Sequence, residues 1–314
     1  MKAIVSDKYG SPDDLKLQEI DMPVIGDDGV LVRVQAASVN PYDWHVMRGS
    51  PFIVRLAEGL RRPKQRVRGV DVAGRVESVG KNVTQFQPGN EVFGGRTGAF
   101  AEYVGGTERN FVLKPSGLSF EQAAAIPIAG CTALQGLRDR GRLQPGQRVL
   151  INGAAGGVGT FAVQIAKALG AEVTGVCSTR NLDLVRSIGA DEVVDYTAED
   201  FTRRGQQYDV ILEAFGNRSL SDLRRALTPN GTLVLAAGSF TSLIGALVLS
   251  RVGRQRMLPF LATLSKKDLV TLKELIEAGR VTPVVDRTYP LSEAPEAIRY
   301  LETKHARGKV IITM

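Results

Sequence analysis

The chain has 314 residues, 43% hydrophobic and 23% charged, with 40 Lys and Arg against 33 Asp and Glu, giving a net charge of +7. That is enough for two domains with sizeable cores and ordinary for a soluble globular protein. The two cysteines, Cys131 and Cys177, lie far apart, which excludes a disulfide framework. They suit a reducing compartment. The longest apolar run, Leu243 to Leu249, is far too short to cross a bilayer. Met1 to Val5 leads straight into a strand-like pattern, so a cytoplasmic protein is expected.

Residues 1 to about 115 alternate β-branched residues with Gly/Pro punctuation. Strands are expected at Gly29–Ala36, at Asp71–Val79 and around Glu91–Phe93, with turns at Pro88-Gly89 and Gly94-Gly95. The densest basic run, Arg61 to Arg68, has no interleaved aromatics and no binding module. It reads as a solvated loop, with a rim that attracts anionic ligands as the alternative, and nucleic acid is not expected as a partner. From about Phe120 the pattern switches to alternating helix and strand. A helix is expected over 127–138, with strands at 148–152, 172–176, 192–195, 208–214 and 232–237. Helical segments at 181–188 and 219–227 lie between them, and Pro229-Asn230-Gly231 reads as a turn. This is the pattern of an α/β doubly wound parallel sheet. The tail adds helices at 268–278 and 293–302 and a strand at Lys309–Thr313, expected to return to the first domain.

The stretch Arg148 to Asn181 carries the chemistry. A short apolar strand, Val149-Leu150-Ile151, runs into Gly153, Gly156, Gly157 and Gly159. Apolar residues then recur at helical spacing from Val158 to Leu169, with Gly170 placed as a cap. Glycines permit a tight turn and close approach of backbone to a pyrophosphate, and the helix start offers free N–H groups. The expected cofactor contacts there are Ala155, Gly156, Gly157 and Val158. An NAD site usually ends its second strand with an acid for the ribose hydroxyl. Here Cys177-Ser178-Thr179-Arg180-Asn181 has none. Ser178 and Arg180 suit a 2′-phosphate, so NADPH is favoured, with Tyr196 a further candidate contact.

Taken together, several segments resemble the medium-chain dehydrogenase/reductase superfamily, in its zinc-independent quinone oxidoreductase branch. They are Ser38-Val39-Asn40-Pro41-Tyr42-Asp43, Gly69 to Gly74, Gly98 to Tyr103, Ala125-Ile126-Pro127, Gly130-Cys131-Thr132-Ala133, Ala154 to Gly159, Gly189-Ala190-Asp191 and Gly308-Lys309-Val310. The resemblance implies a GroES-like β-barrel domain over 1–118, a Rossmann NADPH-binding domain over 119–262, and a C-terminal segment, 263–314, returning to the first. It also implies an active site in the cleft between domains, nicotinamide contact at Thr132, and a homodimer.

A catalytic zinc needs three Cys, His or acid ligands. The chain has two cysteines and two histidines, and shows Asn40 and Gly69-Val70-Asp71 where zinc-containing relatives carry ligands. Without a Lewis acid to hold an alkoxide, the expected substrate is a quinone or an α,β-unsaturated carbonyl. Asn40 is a candidate hydrogen-bond donor to the substrate carbonyl or the nicotinamide ribose. Tyr42 is a candidate proton donor, with pocket wall as the alternative. Asp43 reads as a tie for its own loop and His45 as a packing residue. Lys309, beside Gly308, is a candidate to approach the cofactor, with a solvated lysine the alternative. The segment 243–256, an apolar run followed by arginines, reads as a dimer or cleft helix, with a membrane-surface flap as the sharper option. A non-enzymatic NADPH-binding sensor or structural protein stands as the alternative function.

Overall fold

The computed structural model describes residues 1–237, 245–246, 250 and 254–314, so most of the 243–256 segment lies outside the described residues. Two compact units emerge. The first comprises Met1–Ile128, Leu264–Lys273 and Pro283–Met314; the second comprises Ala129–Thr263 and Glu274–Thr282.

The first unit is built from β1 (Lys2–Val5), β2 (Lys16–Glu19), β3 (Gly29–Val39), β4 (Asp71–Val79), β5 (Glu91–Gly95), β6 (Tyr103–Thr107) and β7 (Phe111–Leu113). After the strands of the second unit, β8 to β13, it takes up two more, β14 (Val285–Pro290) and β15 (Lys309–Thr313). Its main sheet runs β14-β15-β3-β4-β5-β7, with β6 also paired to β3. The central strand, β3, is rich in valine and buried along most of its length, as a strand packed on both faces should be. It extends past the expected end at Ala36 to Val39 because two partners claim the extra residues. Val310 of β15 pairs with Val39, and Asp71 of β4 pairs with Ser38. Val30, Val32, Val34, Val72, Phe100, Phe111, Val310 and Ile312 are among the residues of one buried core.

The second unit holds a six-stranded sheet in the order β10-β9-β8-β11-β12-β13, with every pairing parallel. The strands are β8 (Arg148–Asn152), β9 (Glu172–Cys177), β10 (Glu192–Asp195), β11 (Tyr208–Glu213), β12 (Leu227–Leu235) and β13 (Arg256–Pro259). Chain order reverses between β8 and β11, the switch point at which doubly wound sheets open a crevice beyond their strand ends.

Two local expectations change. Pro229-Asn230-Gly231 lies inside β12 rather than before it. Pairing jumps from Tyr208↔Leu227 to Val210↔Thr232, so the segment is a bulge whose Pro229 and Asn230 face solvent. The helix expected over 127–138 is α-helical only over Pro127–Leu134, then widens to a π turn over Gln135–Arg140. There the Gln135 amide donates to the Thr263 carbonyl at 2.7 Å and accepts from the Thr263 N–H at 3.1 Å.

The returning strand is a structural member of the first unit's core, so trimming it should be costly. Ile312→Ala is expected to destabilise that unit by about 2–5 kcal/mol. Urea unfolding read by Trp44, the only tryptophan and a neighbour of this core, measures it.

Candidate functional site

In the second unit, β8 ends at Asn152 and the chain turns through Gly153, at φ +85°, to the helix Gly157–Ala168. Gly159 is required from within: a Cβ there would meet the Gly153 carbonyl oxygen at 2.1 Å. Gly156 is different. Its φ is −81°, and a Cβ would meet nothing nearer than the Gly153 oxygen at 3.4 Å. Neither backbone strain nor an internal neighbour demands glycine at 156, so the space over it suits a ligand. No side chain caps this helix, leaving its first N–H groups and positive dipole end for phosphate. Ala155 is buried and Val158 half-buried within this turn.

β9 delivers Ser178, half-buried, and Arg180, exposed, just past its end, and Tyr196 is exposed beyond β10. A carboxylate that sequence reasoning did not weigh also stands here. Asp195 pairs across from Cys177 in the sheet and accepts the Thr179 hydroxyl at 2.5 Å and the Thr197 N–H at 2.9 Å. These hydrogen bonds, Thr179's first, hold it below the usual carboxyl range. Burial pushes the Cys177 thiol up to about 11, so it stays protonated and unreactive. Thr132 is half-buried on the helix Pro127–Leu134.

Sequence reasoning also missed Glu213, at the end of β11 and 1% exposed. Its carboxylate oxygens accept from Asn152 Nδ2, at 2.9 and 2.8 Å, and from the N–H groups of Phe215 and Gly216 at 3.0 and 2.7 Å, while Asn152 Nδ2 also donates to Asn217 at 3.0 Å. Burial raises its pKa against these donors. The network ties the ends of β8 and β11 at the switch point. A glutamate placed directly after the apolar run Val210-Ile211-Leu212 was the available signal.

The first unit assembles a buried polar cluster around β3, β4 and β15. Helix α1 (Pro41–Arg48) begins at Asn40, whose backbone N–H donates to Asp43 at 2.8 Å. Asp43 does tie its own loop. The Asn40 side chain turns inward instead: Nδ2 donates to Asp71 at 2.9 Å, and Oδ1 accepts from Lys309 Nζ at 2.5 Å. Asp71 also accepts the Ser38 hydroxyl at 2.8 Å and the Ile128 N–H at 3.0 Å. Lys309 is therefore neither a solvated lysine nor aimed outward; it is 3% exposed and lies 3.5 Å from Asp71. Burial drives the Asp71 carboxyl up and the Lys309 ammonium down, and their mutual attraction opposes both shifts. With both ends of its amide engaged, Asn40 holds Lys309 and Asp71 in place; a role toward the substrate carbonyl would require breaking one of these bonds.

Tyr42, 40% exposed, donates its hydroxyl to Glu58 at 2.7 Å. Burial first, and that carboxylate second, lift its pKa well above the ordinary tyrosine range, so it remains a phenol. Asp43 is buried and raised to about 7, chiefly by desolvation. His45 stacks on Trp44 at 3.7 Å between centroids and meets the Ser50 carbonyl, as a packing residue does. The basic run divides: Arg61, Arg62, Lys64 and Arg66 are exposed as expected, but Arg68 is 3% exposed. Among the described residues, no three His, Cys, Asp or Glu side chains cluster as a metal site, and no helix is long and apolar enough to cross a membrane.

Comparison with known proteins agrees with this architecture. Residues 26–116 match the alcohol dehydrogenase GroES-like domain, and residues 188–312 match the zinc-binding dehydrogenase domain. The chain is 33% identical to the chloroplastic quinone-oxidoreductase QR1 of Triphysaria versicolor, over 99% of this chain and 98% of that protein. It is 36% identical to the chloroplastic NADPH-dependent alkenal/one oxidoreductase of Arabidopsis thaliana, over 99% of this chain and 79% of that protein. The quinone oxidoreductase of Coxiella burnetii superposes with a TM-score of 0.89 at 31% identity, covering 100% of this chain and 99% of the other. The chain belongs to the medium-chain dehydrogenase/reductase superfamily, in its quinone oxidoreductase branch.

Two outcomes test the site. Gly156→Ala should leave the unfolding midpoint unchanged while weakening nicotinamide dinucleotide binding about tenfold or more, as measured by titration calorimetry. Gly159→Ala should instead lower the midpoint, because its methyl collides with backbone. For Asp43, the folded pKa of about 7 lies above the unfolded value near 3.8. Its stabilising contribution is therefore full below the unfolded value and is lost as pH rises toward 7. Asp43→Asn, which cannot ionise, should gain thermal stability relative to wild type as pH rises from about 4 to about 7, and hold that gain above. A midpoint difference that does not vary with pH would contradict this placement.

Proposed function

We propose that this protein is an NADPH-dependent reductase that transfers hydride to a quinone or an α,β-unsaturated carbonyl without a metal. The observation that carries the dinucleotide half is the uncapped helix start behind Gly156, where neither strain nor an internal neighbour requires the glycine and close approach of a pyrophosphate would. Bound there, NADPH supplies the hydride. Ser178 and the exposed Arg180 favour a 2′-phosphate, and the nearby Asp195 is already engaged by two threonines. The Arabidopsis relative's name specifies NADPH.

The metal-free reading rests on donor chemistry. Asn40 and Gly69-Val70-Asp71 stand where zinc-containing relatives carry a ligand cysteine and Gly-His-Glu; Val70 offers no donor, and Asn40 and Asp71 bond to each other and to an ammonium. Polarisation of a substrate carbonyl then falls to side-chain hydrogen bonds, and Tyr42, which keeps its proton, suits that role once its hydroxyl turns from Glu58 to the substrate. The named activities of the relatives, on quinones and on alkenals and alkenones, supply the substrate class.

The direct test is a panel of quinones, enals and enones assayed with NADPH and NADH in parallel. Turnover of at least one member, faster with NADPH, is expected; none turning over would return the protein to a binding or structural role. Arg180→Glu should raise the NADPH Michaelis constant by about tenfold or more while leaving that for NADH nearly unchanged. Equal effects would refute the 2′-phosphate assignment.

A further inference from the structure

Arg68 is the least satisfied charged side chain in the first unit. Its backbone is fixed, its N–H donating to the Ile4 carbonyl at 3.2 Å and its carbonyl accepting from Phe100 at 2.9 Å. The side chain is 3% exposed, and its Nε and Nη2 groups are buried without a hydrogen-bond partner. Those two atoms form one edge of the guanidinium. Arg48 uses the same edge to grip Glu302, and Arg138 to grip Asp139. Buried polar groups are nearly always satisfied, and an open charged edge is costly.

The edge is not left open for lack of nearby acids. Asp43 and Glu58 both act electrostatically on Arg68, yet Asp43 is spent on the Asn40 N–H and Glu58 on the Tyr42 hydroxyl. Arg68 lines a small cavity together with Tyr42, Asp43, Glu58, Gln65 and Thr97. The cavity has room for little more than one oxygen atom. One wall is Glu58, the last residue of α2 (Ile53–Glu58), a helix with no buried residue that is tied down by the Tyr42–Glu58 bond and by Tyr9 donating to the Gly59 carbonyl. Displacing this helix would uncover almost no core.

We propose that the Nε–Nη2 edge of Arg68 receives the substrate's carbonyl oxygen and stabilises the negative charge that develops there. The inference rests on the reductase reading above. As hydride forms a C–H bond at the β-carbon of an enone, or at a ring carbon of a quinone, the π electrons move to the oxygen and give an enolate; in the quinone a proton then leaves that ring carbon for the other carbonyl oxygen, giving the aromatic hydroquinone anion. The nicotinamide is oxidised, and water supplies the proton that completes the product. A two-donor cationic edge in a water-poor cavity is the arrangement that favours such an oxyanion. Before substrate arrives, a single water fits the same space.

The test is Arg68→Met and Arg68→Lys in the full-length protein, assayed on a poorly activated enone and on benzoquinone. Arg68→Met should lower kcat on the enone by about 100-fold and on the more electron-accepting benzoquinone much less. The Kd for NADPH should not change. Arg68→Lys should recover part of the loss. Because the methionine removes an unpaired buried charge, its unfolding midpoint should hold or rise. An unchanged kcat, or an equal loss on both substrates together with a lower midpoint, would make Arg68 a hydrated structural residue and overturn the proposal. A second readout does not need turnover: binding of 4-nitrophenolate, an oxyanion mimic, followed by its absorbance, should weaken at least tenfold in Arg68→Met. If wild type reduces nothing but binds this anion in an Arg68-dependent way, the reductase reading fails and the oxyanion subsite stands. If Arg68→Met binds it like wild type, the subsite fails.

Discussion

The ammonium of Lys309, buried within the first unit, is the constraint on which that unit's chemistry depends. A buried cation is tolerable only when surrounded by acceptors. Here they are the Asn40 amide oxygen, the Asp71 carboxylate and, at 3.4 Å, the Val39 carbonyl. Satisfying them fixes the register of β15 against β3 and the facing of the Asn40 amide. Asn40 in turn starts α1, which sets where Tyr42 and Asp43 project. One charge thus links the tail strand, the central strand and the candidate catalytic helix.

The two units solve recognition by different means. The second works through backbone: glycines that let the chain turn and approach, and a helix end whose N–H groups no side chain claims. Its one dense side-chain network, around Glu213, serves to hold strand ends together. The first unit works through side chains whose charges are buried and mutually balanced. Backbone recognition tolerates change in most surrounding side chains. A balanced charge cluster does not, because removing one member strands the others in low dielectric.

Much of this was legible in the sequence. The parallel strands show as short apolar runs, and β4, β8, β10 and β15 fall where the pattern puts them. The glycine turn after β8 carries its own signature, because a tight turn and a close approach each demand particular residues at particular places. The polar cluster was harder to read. Lys309 is separated from Asn40 by 269 residues, and nothing local distinguishes a lysine that reaches solvent from one that slots between strands. Arg68 was hidden for the same reason: it closes a run of basic residues whose other members are exposed, and it is long-range pairing of its segment, with β1 on one side and Phe100 on the other, that fixes it in the buried layer. Periodicity reports which face is apolar; it is silent on a charge buried by long-range pairing. Pro229-Asn230-Gly231 misled in the opposite direction, since a bulge and a turn draw on the same residues.

The place of β15 has a consequence for biosynthesis. Residues 309–313 complete the sheet begun by β3, yet the ribosome makes all of β8 to β13 in between. The second unit can therefore finish folding on the nascent chain while the first, begun earlier, still waits for its last strand. Until then the Ala36–Val39 stretch of β3 presents an unpaired apolar edge, the kind that recruits strands from other chains. Slow release of the tail, or its loss, would make this protein a candidate for chaperone capture at that edge before any defect in its chemistry appeared.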